Sequence, residues 1–416
     1  MRRLPAALLS ASALLGCSAQ HDVFRDPVSD QRIVYGDGLH NENTDLLALD
    51  DRILLAFRGG ESSQVGTGAA HISIYASFDG GASFSPQSEI DASALPEMRD
   101  IRDPKLVEFD GKLFLYAISR LPGAHYRDSY GQAWTVRAES TDQGVTWSDP
   151  VNTFSDQGTD SQYWGMWRFT KRSSSAGETL YALGYDDGDT ETALLASDDG
   201  ENWQKRAVVV NSYDEVPSEG ELQFFGEDSE TAVAIVRLDD QGVLENGQSA
   251  ICTAQAPFDN WECGRRLEQR LDGPRWISPL IGGTRRNFVA ARKHLPCTFK
   301  RTALYELRGD LSDSNAAIEV CELSQLTSAG DTAYTGFAEL SDDHWLLSWY
   351  RMRCPARAIW RGSKALISRA LFGSPMSISP RRAAMIAAKP QRIEPVSHEL
   401  CRPVAGTQPR QLAISY

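Results

Sequence analysis

Short runs of apolar residues, many alternating with polar ones, recur along the chain between clusters of Gly, Asp and Ser, and long helical periodicity is scarce. Arg52-Ile-Leu-Leu-Ala-Phe57, Lys112-Leu-Phe-Leu-Tyr116, Thr179-Leu-Tyr-Ala-Leu183, Thr231-Ala-Val-Ala-Ile-Val236, Asn287-Phe-Val-Ala-Ala291 and His344-Trp-Leu-Leu-Ser-Trp349 read as strands. Each is preceded by another candidate strand, beginning near Asn43, Arg102, Trp164, Glu219, Gly273 and Tyr334. Hairpin chemistry joins several of these pairs, notably Asp110-Gly111 and Gly282-Gly283.

A turn recurs behind the later strands: Ser77-Phe-Asp-Gly-Gly-Ala-Ser-Phe84, Ser140-Thr-Asp-Gln-Gly-Val-Thr-Trp147 and Ala196-Ser-Asp-Asp-Gly-Glu-Asn-Trp203. The frame places Asp79, Asp142 and Asp198 where a carboxylate accepts N–H bonds inside the turn, a Gly where φ is positive, and an aromatic that folds back on the sheet. A worn copy, Ala256-Pro-Phe-Asp-Asn-Trp261, follows. Units of about 55 to 60 residues, each four strands with this turn between the third and fourth, predict an all-β, six-bladed β-propeller over residues 41–372. Residues 18–40 form a tether and, near Arg32-Ile-Val-Tyr35, a ring-closing strand; residues 373–416, rich in Pro and Arg, are expected to wrap the ring.

Residues 1–17 read as an export signal, with a basic start, a short apolar stretch and small residues. The end, Leu14-Leu-Gly-Cys17, resembles a bacterial lipobox, which predicts acylation of Cys17 and a lipid anchor in the membrane, with Ser18 favouring the outer membrane. The net charge of −14 argues against non-specific nucleic-acid binding. The remaining cysteines suit disulfides in an exported chain. Cys252 and Cys263 flank the worn turn, Cys297 and Cys354 fall in equivalent loops of adjacent blades, and Cys321 with Cys401 follows by elimination. No metal constellation and no cofactor motif stands out.

In a propeller the repeated turns lie on one face, and the inner-strand starts with the second-to-third-strand loops lie on the other. Chemistry is therefore expected away from the turns. On that face Arg58, Arg120, Arg237, Arg292 and Arg351 end successive second strands, with Tyr185-Asp-Asp in the third unit. An acidic protein that repeats arginine in this way is building a cationic funnel for an anionic ligand. The plainer alternative is that these arginines pair with nearby carboxylates.

The repeated turns resemble the Asp-boxes of the sialidase (neuraminidase) superfamily. Pro217-Ser-Glu-Gly-Glu-Leu-Gln-Phe-Phe225 with Arg237 resembles its segment carrying the catalytic Glu, and Asp331-Thr-Ala-Tyr-Thr-Gly-Phe337 resembles the segment carrying its Tyr. The resemblance implies an exo-glycosidase releasing a terminal acidic sugar from a glycan. Tyr334 is then the nucleophile, with Glu219 or Glu221 as its base; Glu219, nearer the strand start, is preferred. A neutral phenol avoids the repulsion that a carboxylate nucleophile meets from a sugar acid. Arg237 and Arg301 are expected to clamp the carboxylate, with Arg292 in reserve for Arg301 and Arg58 on the funnel wall. The chain departs from the family at its first unit, where Asn43-Thr44-Asp45 replaces an Arg-Ile-Pro motif and the following loop lacks the acidic Asp. Arg102-Asp103 can replace part of the clamp and supply the acid, with Glu61 or His71 as other proton donors. A glycan-binding or scaffold propeller without catalysis remains open. So does a polysaccharide lyase using His125 or His294.

Overall fold

The computed structural model describes residues 27–371 except 61–69, 96–99, 121–133, 155–163, 176, 187–189, 227, 241–242, 296–299, 327, 329–330, 342–343 and 353–362. Cys17, Glu61, His125, Cys297, Cys354 and Cys401 lie outside the described residues. All regular structure among the described residues is β. After β1 (Val28–Ile33), the chain forms β2 (His40–Ala48), β3 (Ile53–Gly60), β4 (His71–Ser77) and β5 (Ser85–Asp91) as one sheet. The next sheets are β6 (Asp100–Phe109), β7 (Lys112–Arg120), β8 (Trp134–Ser140) and β9 (Val151–Asn152), then β10 (Trp164–Ser174), β11 (Gly177–Asp186), β12 (Glu191–Ser197) and β13 (Gln204–Asn211). They are followed by β14 (Glu215–Phe225), β15 (Thr231–Asp240), β16 (Val243–Gln255) and β17 (Glu262–Leu267). In the fifth sheet, β18 (Asp272–Ile277) is separated from β21 (Asn287–His294) by a hairpin of β19 (Leu280–Ile281) and β20 (Thr284–Arg285), and β22 (Lys300–Arg308) and β23 (Glu319–Leu326) complete it. The last strands are β24 (Thr332–Ser341), β25 (His344–Met352) and β26 (Ser363–Leu371).

The arrangement is a propeller. Five blades follow the chain directly, each an antiparallel meander of four strands. This corrects the expected count of six blades to five. The remaining four-stranded sheet is composite, because β1 pairs with β26 ahead of β25 and β24. The apolar core lies between neighbouring sheets: Leu54, Ile74, Leu106 and Leu115 fill one gap, Phe114, Tyr116, Trp164 and Trp203 the next. Leu46, Leu55, Phe57 and Leu346 seal the composite sheet against the first. Burial explains the strand order. β3, covered on both faces, is buried throughout, whereas the outer β5 and β13 carry many exposed residues.

The repeated turns join third to fourth strands and tie each blade to the one before. Gly81, Gly144 and Gly200 have φ of 80°, 80° and 76°, and a Cβ there would press on Leu346, Leu54 and Phe114 of the preceding sheet. Ser88 Oγ donates to Gly144 O at 2.8 Å, and Tyr116 Oη donates to Gly200 O. Asp79 and Asp142 accept the N–H and hydroxyl of Ser83 and Thr146, which holds each carboxyl down to about 2. The third copy departs from its expected frame. Asp199, not Asp198, accepts from Glu201 N and Asn202 N, because Gly200 bonds Ser197 three residues back where the other copies use four. Asp198 instead accepts from Thr179 Oγ1. Cys252 and Cys263 are joined by a disulfide with Cα atoms 4.1 Å apart, and Cys321 is also disulfide-bonded.

Candidate functional site

Every inner strand carries the same irregularity. Between Glu42 and Asp45, Arg102 and Lys105, Met166 and Phe169, Pro217 and Gly220, Asp272 and Arg275, and Ala333 and Gly336, three steps on the inner strand face two on its partner. Each is a β-bulge, which re-aims side chains at a sheet edge. Asn43, Asp103, Gly273 and Tyr334 occupy equivalent bulge positions with φ of 55°, 55°, 56° and 49°. A tyrosine held in the left-handed region is uncommon, and such strain gathers at functional sites. Gly273 clears space for it, since a Cβ there would lie 2.9 Å from the Tyr334 ring.

Tyr334 Oη donates to Glu219 Oε1 at 2.7 Å. The other oxygen of Glu219 accepts from Gly273 N at 2.7 Å and meets Arg237 Nη1 at 2.9 Å. Arg237 also contacts Asp239 and Asp272, and Arg270 bridges the same carboxylates. Arg292 lies with its guanidinium carbon 4.6 Å from the centre of the Tyr334 ring, and it pairs with Asp331 at 3.0 Å. Trp167 supports the ring edge-on at 5.2 Å. Burial pushes the Tyr334 phenol well above its ordinary range against the pull of Arg292, with Glu219 adding to the rise, so the hydroxyl is neutral at neutral pH. The phenol thus has a proton acceptor at hydrogen-bond distance and guanidinium groups on either side.

Across the site, Arg102 Nε contacts Asp103 at 3.1 Å, and Asn43 donates to the other oxygen of Asp103. Asp103 is close enough for its charge to raise the Tyr334 phenol. Arg58 does not face the funnel. It is fully buried between Asp100 and Glu42, where it braces the wall. Arg301 is placed elsewhere as well. Register pairs it with Lys293, on the sheet face opposite Arg292, while Lys300 comes round to within 3.7 Å of Asp331. Burial, reinforced by Arg292, lowers Lys300 to about 8. Glu221 lies one layer deeper, bound to Arg275 and Trp276 N, so it is not beside the tyrosine. His294 bonds Asp272 at 2.6 Å, and His71 lies 3.7 Å from Glu89.

The sequence reading missed Lys300, Asp331 and Tyr350, whose hydroxyl donates to Asp331 at 2.8 Å. The pairing of Arg292 with Thr302 separates Lys300 from Arg301, and only the structure supplies that register. Among the described residues no cluster of His, Cys, Asp or Glu is arranged to hold a metal ion.

No family model and no curated protein matches the chain. Solved structures do. A protein of unknown function from Dyadobacter fermentans is 14% identical over 83% of this chain and 98% of its own, with a TM-score of 0.63. The NanB sialidase from Streptococcus pneumoniae is 12% identical over 81% of this chain and 70% of its own, with a TM-score of 0.61. The Trypanosoma rangeli sialidase, solved with sialic acid, is 13% identical over 79% of this chain, which spans 54% of that protein, with a TM-score of 0.57. The chain therefore has a sialidase-like propeller fold.

Proposed function

We propose that the protein is a sialidase-like exo-glycoside hydrolase that releases a terminal acidic sugar. The observation that carries this reading is the 2.7 Å bond from Tyr334 Oη to Glu219, set between Arg237 and Arg292. Glu219 draws the proton from Tyr334 as its oxygen attacks the anomeric carbon, and the flanking guanidinium groups favour the oxygen's developing charge. Arg102, Arg237, Arg292 and Lys300 supply the positive field for the sugar carboxylate. Asp103, once the sugar carboxylate draws Arg102 away from it and it takes up a proton, is the proton donor to the leaving group, in place of the acid missing from the first blade. The sialic acid bound by the T. rangeli sialidase supports an acidic glycan as ligand. The composite sheet with β1 is read as the sixth blade, since its inner strand carries the same bulge as the others.

The test is turnover of sialosides and other acidic glycosides by purified protein beside Tyr334→Phe. Removing the nucleophile should lower kcat by at least about a thousandfold, and a fluorinated sugar should label Tyr334 covalently. Unchanged turnover in Tyr334→Phe sinks the mechanism. A glycan-binding role without catalysis is favoured by one observation: Arg102, Arg237 and Arg292 are already ion-paired, so a ligand carboxylate must compete. Binding without turnover would select it. Acylation of Cys17 and outer-membrane attachment belong to the same reading; Cys17→Ser should release the protein from membranes and abolish palmitate labelling.

A further inference from the structure

The propeller has a second concavity, on the far side of its buried middle. From Glu219 to Gln223 the inner strand β14 runs four residues, and from Tyr334 to Glu339 β24 runs five, about 13–16 Å at ~3.3 Å per residue. In between, ion pairs of Arg168 with Asp45 and Arg275 with Glu221 close the axis. Beyond them lies a cavity of about 680 Å³, lined by Gln223, Glu339, Lys171, Arg275 and Trp345 among others and bordered by the β19–β20 hairpin. Its volume falls in the ~300–1,000 Å³ range of small-molecule sites.

The lining combines features that suit sugars bearing acid groups. Trp345 presents an indole, and Leu280 is an exposed apolar neighbour at 62%. The indole Nε1 of Trp345 and the Nε of Arg275 are buried with no hydrogen-bond partner among the described residues, so these two atoms lie beneath the lining and not on its surface. Lys171 and Arg285 are exposed at the rim, and neither makes an ion pair with a described residue; Arg285 only lies over the Phe225 ring. In a chain of net charge −14, unpaired cations beside an aromatic wall define a local anion site. Glu339 is the carboxylate of the lining, so a polyanion of high charge density is disfavoured and a ligand with spaced acid groups and ring faces is favoured.

We propose that this cavity is a second, non-catalytic binding site for an acidic oligosaccharide. Sugar ring faces stack on Trp345, and acid groups meet Lys171 and Arg285. The site holds a glycan on the face opposite Tyr334 and acts by raising the local concentration of chains at the protein.

The test is calorimetric titration of the full chain with sialic acid, galacturonic acid and hyaluronan-derived tetrasaccharides, with cellotetraose as the neutral control. At least one acidic probe should bind in an event that quenches tryptophan fluorescence. Lys171→Glu with Arg285→Glu should weaken that event at least about tenfold, and Trp345→Phe should reduce the quench, both with turnover at Tyr334 unchanged. Binding of no acidic probe overturns the proposal, as does equal binding of cellotetraose, or binding indifferent to these variants. Indifference is also the outcome if another part of the chain fills the cavity. The site does not depend on the Tyr334 reading: Arg237→Ala removes only the other event, so failure of either assignment leaves the other measurable.

Discussion

Lys300 gives up its proton at about 8, because burial disfavours its charge and the neighbouring Arg292 adds repulsion that Asp331 and Asp272 only partly offset. Lys105, buried over the Trp167 ring at 4.4 Å, is lowered further, to about 7, by burial and by Arg168. Asp331 behaves differently: burial would raise it, yet Arg292 and Lys300 hold it at about 2, so it stays ionised across the working range. Anion affinity at the Tyr334 site should therefore fall as pH rises through about 7 and again through about 8. Arginine does not titrate there, so Lys300→Arg should remove the upper step and keep the lower. Stability should move the other way. Both lysines have folded pKa values below their ordinary value of 10.5, so the unfolded chain binds more protons between, and stability rises as pH climbs from about 7 towards 10.5. Titrating a sialic acid analogue by calorimetry and following melting over the same pH series checks both signs. Arginine and lysine adjacent in sequence could be told apart only by strand register, which is why Arg301 reads as the natural ligand until the pairing of Lys293 with Arg301 is known.

The repeated turn is a local structure, and its chemistry was legible because the groups that build it lie within eight residues. Its limit was the third copy, where a one-residue contraction moves the accepting carboxylate from Asp198 to Asp199 without changing the composition. Asp199 takes bonds from Glu201 N, Asn202 N and Asn202 Nδ2, and Trp203 packs edge-on against Tyr116 at 5.9 Å. Asp199→Ala should cost roughly 1–3 kcal/mol, the range for leaving turn donors unsatisfied, whereas Asp198→Ala should cost under about half that. Urea denaturation of both variants separates them, and equal losses would restore the original frame. The inner-strand bulges were invisible beforehand. One extra residue against the partner strand leaves no periodic trace, yet it sets which of Ser218, Glu219 and Glu221 reaches the axis. The preference for Glu219 rested on its place near the strand start, and the bulge supplies the physical reason for its position beside Tyr334.

At the scale of the molecule, the ring is closed by strands from opposite ends of the described chain, and closure protects both the site and the sheet edges. β1 pairs with β26 from Val28–Ala370 to Ile33–Leu366, and Arg32 donates to Gly81 O in the repeated turn of the first sheet. Without β1, β26 becomes an unpaired edge, and Val28 leaves the cluster around Phe288, Phe337 and Trp349. The inner strand of that same sheet carries Tyr334, so loosening the closure should loosen the Tyr334–Glu219 contact as well. Removing residues 1–26 should leave melting and turnover unchanged, whereas removing residues 1–33 should lower the melting temperature by roughly 5–10 °C, at ~2–4 °C per kcal/mol, and depress kcat more than KM. Scanning calorimetry and steady-state kinetics on the pair of truncations decide the matter. Loss of stability with kinetics unchanged would mean that β24 holds Tyr334 in place through β2 and β25 alone, and that the closing strand serves the edge and not the site.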